Sequence, residues 1–94
     1  MPKYRKRPLV IEAVQVCDAI DAVLHGWGTV PAWLKAAYEA DQVILFTYPD
    51  PHVEIETLEG RMRGELNDWI IQGIEGELYS CNDQIFRFTY ELVY

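Results

Sequence analysis

The 94-residue chain predicts a single small α+β domain, built on one curved, mostly antiparallel sheet of five or six strands. Two helices are expected between the first and second strands. Three observations predict this arrangement. Apolar and polar residues alternate with period two near the start, in the middle and toward the end of the chain. Between residues 18 and 40 the apolar spacing becomes helical instead. Tight turns such as Glu75-Gly76 join the later runs as hairpins. Ninety-four residues leave no room for a second core, and half of them are hydrophobic, which favours a folded chain.

Residues 1–7 carry Lys3, Arg5, Lys6 and Arg7 and read as a flexible basic arm, a gatekeeper before an apolar strand. That strand is expected over Leu9–Val16. Val10, Glu12, Val14 and Val16 share one face; Leu9, Ile11, Ala13 and Gln15 share the other. Glu12 sits between apolar neighbours, so it needs an edge position, a polar partner such as an arginine, or a pocket. Asp18 is placed to cap a helix over Ala19–His25, ended by Gly26 and Gly28. Pro31 suits the first turn of a second helix reaching about Ala40. Trp33, Leu34, Ala37 and Tyr38 then form a stripe for packing on the sheet, and Trp27 in the glycine-rich link covers a core edge.

Gln42–Tyr48 reads as a strand broken by Pro49-Asp50-Pro51. His52, Glu54 and Glu56 alternate with Val53, Ile55 and Thr57, a strand with one wet face. A turn at Leu58-Glu59-Gly60-Arg61 leads to a return strand over Met62–Leu66. The stretch that organises the rest is Asp68–Tyr90. Trp69–Ile74 is largely apolar on both faces, as an interior strand covered on two sides would be. A two-residue turn at Glu75-Gly76 leads into Glu77–Cys81, which brings Tyr79 or Leu78 near the Trp69–Ile71 region. Asn82 and Asp83 cap a single helical turn at Gln84–Phe86. Phe88–Val93, rich in aromatic and β-branched residues, is expected to be the last strand.

The net charge of −7 is unevenly spread. The arm holds four of the eight basic residues, leaving four against fifteen acidic beyond it, a net of −11 for the body. Such a body repels phosphate, which argues against binding DNA or RNA. No apolar run approaches the ~20 residues of a membrane span, and the N-terminus lacks the apolar centre of a secretion signal. Cytoplasmic residence is the default expectation, with no membrane partner. Cys17 and Cys81 form no CxxC pair and read as free, buried thiols.

Chemistry-bearing constellations are sparse. His52, Glu54 and Glu56 share one strand face at ligand-like spacing, but no second histidine is nearby and acidic residues fill solvated faces routinely. Cys17 or Cys81 would need His25 or His52 beside it to act as a nucleophile. No glycine loop fits a phosphate. No catalytic residue, metal or cofactor is therefore assigned. A pocket, if present, is expected near Trp69, lined by Glu12, Gln15, Asp68, Trp69 and Tyr79.

The segments PKYRKRPLVIEAVQ (2–15), TLEGRM (57–62) and DWIIQGIEGELYSCNDQIFRFTYE (68–91) resemble a widespread family of small uncharacterised proteins encoded by bacteriophages and prophages. The region 16–56 carries no comparable pattern. Leu66-Asn67 stands where the family usually has Pro-Gly; asparagine tolerates the left-handed conformation such a turn uses. Gln84 also separates Asp83 from Ile85-Phe86, where the family places its acidic residue directly before Ile-Phe. The resemblance implies a phage-related origin and a small, mostly β fold, and brings no activity, cofactor or catalytic residue with it.

Three functions compete at this level. The first is a non-enzymatic module that binds a host or phage protein. The second is an acidic mimic of nucleic acid that occupies a DNA-binding host protein, which requires carboxylates spaced along one ridge. The third is a small-ligand binder or enzyme with its pocket near Trp69. Exposed sheet edges also permit a homodimer.

Overall fold

Alternating apolar residues sort this chain into two sheets rather than one. The computed structural model describes residues 1–5, 7–28 and 30–93; Lys6 of the basic arm lies outside them. In chain order the elements are β1 (Glu12–Gln15), α1 (Val16–His25), α2 (Ala32–Glu39), β2 (Val43–Phe46), β3 (His52–Thr57), β4 (Gly60–Gly64), β5 (Trp69–Gln72), β6 (Leu78–Cys81) and α3 (Asp83–Thr89). The molecule is α+β, with two antiparallel three-stranded sheets ordered β1-β5-β6 and β2-β3-β4.

The expected single sheet divides because each central strand is already saturated. β5 is flanked by β1 through Val14↔Ile70 and by β6 through Ile70↔Ser80. β3 is flanked by β2 through Val43↔Ile55 and by β4 through Ile55↔Met62. β6 lies against β3 and β4 without a shared ladder. Gly64 makes that approach close: a Cβ there would stand 2.8 Å from Val53 Cγ1 and 3.3 Å from Ser80 Cβ.

The core gathers one face of each sheet. Val14, Ile70 and Leu78 come from the first, and Val43, Leu45, Val53 and Ile55 from the second. Val16, Ala19 and Ile20 of α1 and Leu34 and Ala37 of α2 complete it, with Trp27, Trp33 and Tyr38 packed around the margin. Trp27 and Tyr38 meet with ring centroids 5.2 Å apart. Ile71 is also fully buried although alternation turns it to the opposite face from Ile70. The β1-β5-β6 sheet is thus covered on both sides.

Several boundaries differ from expectation. The first strand is only Glu12–Gln15, because β5 ends at Gln72 and offers Leu9–Ile11 no ladder partner. Helix α1 starts at Val16 rather than Ala19, with Gln15 at its N-cap and no side-chain cap bond, so Asp18 lies within the first turn. Pro31 stands just before α2, at its N-cap. The β5–β6 loop is three residues, Ile74 to Gly76, closed by the Gly73 N–H to Glu77 carbonyl bond at 2.8 Å. Gly76 supplies the positive φ, 84°, that this loop requires. Asp41 is the positive-φ non-glycine among the described residues, so the turn before Trp69 does not use a left-handed Asn67; the Asp68 N–H closes it on the Glu65 carbonyl at 3.0 Å.

The largest correction is at the C-terminal end. Asn82 Oδ1 accepts from the Gln84 and Ile85 N–H groups at 2.9 and 3.3 Å, and this cap launches seven helical residues through Thr89. Phe88–Val93 therefore forms no strand. Its β-favouring composition is overridden by a capped helix docked through Phe86.

Candidate functional site

The face of β1-β5-β6 turned away from the core carries Ala13, Gln15, Trp69, Ile71, Tyr79 and Cys81, by register and alternation. Helix α3 closes over it. Phe86 stacks on Trp69 with centroids 4.1 Å apart and planes 10° from parallel, and Tyr90 tilts against Phe86 at 5.1 Å. Trp69 Nε1 donates to Asp83 Oδ1 at 2.8 Å, so a buried-end indole N–H has its acceptor. That bond, and then Arg87 Nε at 2.9 Å, hold the Asp83 carboxyl below its ordinary pKa.

Beside this stack runs an apolar groove of about 570 Å³. Leu9, Val10, Ile11 and Ala13 line it from the N-terminal side and Tyr90, Leu92 and Val93 from the tail, with Trp69 and Phe86 between them. Arg87 and Glu91 are its charged members. Leu9, Val10, Leu92 and Val93 remain 52, 75, 76 and 67% exposed, so their side chains face solvent rather than the core.

The five residues singled out from the sequence do not converge on one pocket. Trp69 lines the groove. Gln15 is beside it in register, and its Nε2 donates to the Asn67 carbonyl at 3.0 Å. Tyr79 lines a smaller adjoining hollow with Leu9, Ile11 and Tyr90. Burial, and then a hydrogen bond to the Tyr90 phenol, push its pKa up to about 12. Asp68 works on the backbone, accepting from the Glu65 N–H at 2.8 Å and the Asp83 N–H at 3.3 Å. Glu12 lies on the other face of the strand, where Trp33 Nε1 donates to it at 3.3 Å; its polar partner is an indole rather than an arginine.

The other chemical candidates are spoken for by neighbours. His52 Nε2 meets Glu54 Oε2 at 3.0 Å, while Arg61 bridges Glu54 and Glu56. Among the described residues no group of three or more His, Cys, Asp or Glu is placed to hold a metal ion. Cys17 and Cys81 are free and half-buried rather than buried. Burial, followed by the negative charge of Asp68, raises the Cys81 thiol above its ordinary pKa. No described helix is long and apolar enough to cross a membrane.

Sequence reasoning passed over Leu9, Val10, Leu92 and Val93 as surface residues because both terminal runs read as strands of the sheet. Their apolar character was visible; that they flank one groove depends on the β1–β5 pairing, which brings the chain ends together. No protein-family model, curated protein or solved structure matches this chain.

Proposed function

We propose that this chain is a non-enzymatic protein-binding module of phage origin, acting on a host or phage protein through the groove between its terminal segments. The observation that carries the reading is the apolar groove rimmed by four largely exposed aliphatic side chains, two from each end of the chain. Adjoining exposed apolar residues on a small acidic domain mark a contact surface, because water-exposed aliphatics gain free energy only when a partner covers them. The stacked Trp69–Phe86 pair supplies a rigid aromatic base of the kind that anchors binding energy.

The small-ligand reading has one observation in its favour: about 570 Å³ lies within the range of ligand sites. The nucleic-acid-mimic reading has less geometry behind it. Arg61 stands between Glu54 and Glu56, Arg63 between Asp50 and Glu65, and Arg87 beside Asp83, so positive charges are interspersed among these carboxylates.

The test is co-purification from phage-infected host cells with the wild-type chain and with Val10→Asp/Leu92→Asp, followed by titration of the captured protein against both. A single partner that binds the wild type and binds the variant at least about tenfold more weakly supports the reading. Equal affinity for both chains, or turnover of a small substrate by the wild type, refutes it.

A further inference from the structure

Among the described residues, the outer strands β4 and β6 lie beside each other, whereas β1 and β2 have helices, α1 and α2, as their neighbours besides their ladder partners. β1 pairs with β5 alone. Val16 N–H donates to the Asp68 carbonyl at 2.8 Å, one step beyond the Gln15↔Trp69 pair. Hydrogen-bonded pairs alternate in an antiparallel ladder, so Val14 and Glu12 also bond toward β5 while Ala13 and Ile11 turn their N–H and C=O groups outward. Beside that edge a depression of about 420 Å³ is lined by Ala13, Gln15, Asp18 and Asp21, with Val30 and Pro31 of the segment before α2 also on its wall. Both aspartates are exposed, and Asp21 lies 3.7 Å from His25.

We propose that the outer edge of β1 pairs antiparallel with the same edge of a second copy of this chain, giving a two-fold dimer. The charges argue for a second copy as the occupant. In a two-fold antiparallel pairing centred near Ile11 or Ala13, the basic arm is carried past Gln15 of the other copy. Lys3, Arg5 and Arg7 then run alongside Asp18 and Asp21 at the start of its α1. The two-fold axis makes each contact twice. The pairing adjoins the groove proposed for a partner protein, since Ala13 and Trp69 line both the groove and the depression beside the edge.

The test is sedimentation velocity of the full chain over a concentration series at low and high salt. The wild type is expected at about twice the 10.9 kDa chain mass at low salt, dissociating as salt screens the arm. Ala13→Pro removes an outward N–H without touching the β5 ladder and is expected to be monomeric with an unchanged circular dichroism spectrum. Asp18→Lys/Asp21→Lys is expected to raise the dissociation constant by about tenfold or more, and adding Arg5→Glu/Arg7→Glu to restore it. A wild type that is monomeric throughout, or a dimer that survives both Ala13→Pro and the aspartate reversals, overturns the proposal.

Discussion

Helix α3 should depend on a single aromatic contact, and Phe86→Ala is the substitution that tests it. The helix is seven residues long with no fully buried residue, too short to persist in water by itself. What holds it is the Phe86 ring stacked on Trp69 at 4.1 Å, with the Asp83 bridge to the indole N–H beside it. Phe86 is half-buried, so about 100 Å² of apolar surface leaves water, contributing about 2.5 kcal/mol at 25 cal/mol per Å². Stacking adds about 1 kcal/mol, for a total cost of about 3.5 kcal/mol on truncation. A domain of this size has about 5–15 kcal/mol in all, so the core should survive while α3 opens. Hydrogen exchange reports this directly: protection of the Phe86 and Tyr90 amides, which donate to the Asn82 and Phe86 carbonyls, should fall while that of Ile70 and Ile55 persists. Ile85→Ala on the same helix, at a side chain 60% exposed, should cost under about 1 kcal/mol. Unchanged α3 protection in Phe86→Ala, or an equal effect from Ile85→Ala, would refute the reasoning.

Two further outcomes follow from individual contacts. His52 is buried and stacked on Phe46, with Nδ1 at 2.7 Å from the Asp50 carbonyl and Nε2 at 3.0 Å from Glu54. Both partners are acceptors, so the imidazolium fits best; the Asp50 carbonyl first and Glu54 second raise its pKa above 6.5, against burial and Arg63. Its stabilisation is therefore complete below pH 6.5 and lost as pH rises through the higher folded value, which urea titrations of wild type and His52→Gln over that window should show as a slope only the wild type has. Glu54 has the opposite sign: its bond to His52, followed by Arg61, lowers its pKa, so its contribution is lost in acid. Gly64→Ala should cost about 1–3 kcal/mol in chemical denaturation, because its Cβ meets Val53 at 2.8 Å, whereas Gly28→Ala, with nothing within 4 Å, should lose little.

Local chemistry was legible where it acted alone. The strand His52–Thr57 was readable in its bounds and in its buried Val53 and Ile55, but its expected wet face fails at His52, which is buried against Phe46. The stripe Trp33, Leu34, Ala37 and Tyr38 packs on the core as its helical spacing required. The two covered faces of Trp69–Gln72 were visible in its continuous apolar character, and Ile70 and Ile71 are both fully buried. Where two local signals competed, the reading failed. In Phe88–Val93, strand-favouring residues lost to a helix already started by Asn82 and anchored by Phe86. At Leu9–Ile11 the alternation was real, but a strand needs a ladder partner and β5 ends too soon.

From the sequence alone came the α+β class, the positions of the elements from β1 through β6 and most of the core residues they bury, because propensity, periodicity and turn chemistry act over a few neighbours. Tertiary structure alone decided the division into two sheets, the face on which Glu12 stands apart from Trp69, and the meeting of Leu9 and Val10 with Leu92 and Val93. Those depend on which strands pair across more than fifty residues, and a ladder is chosen by the combined burial of both partners, which neither segment carries by itself.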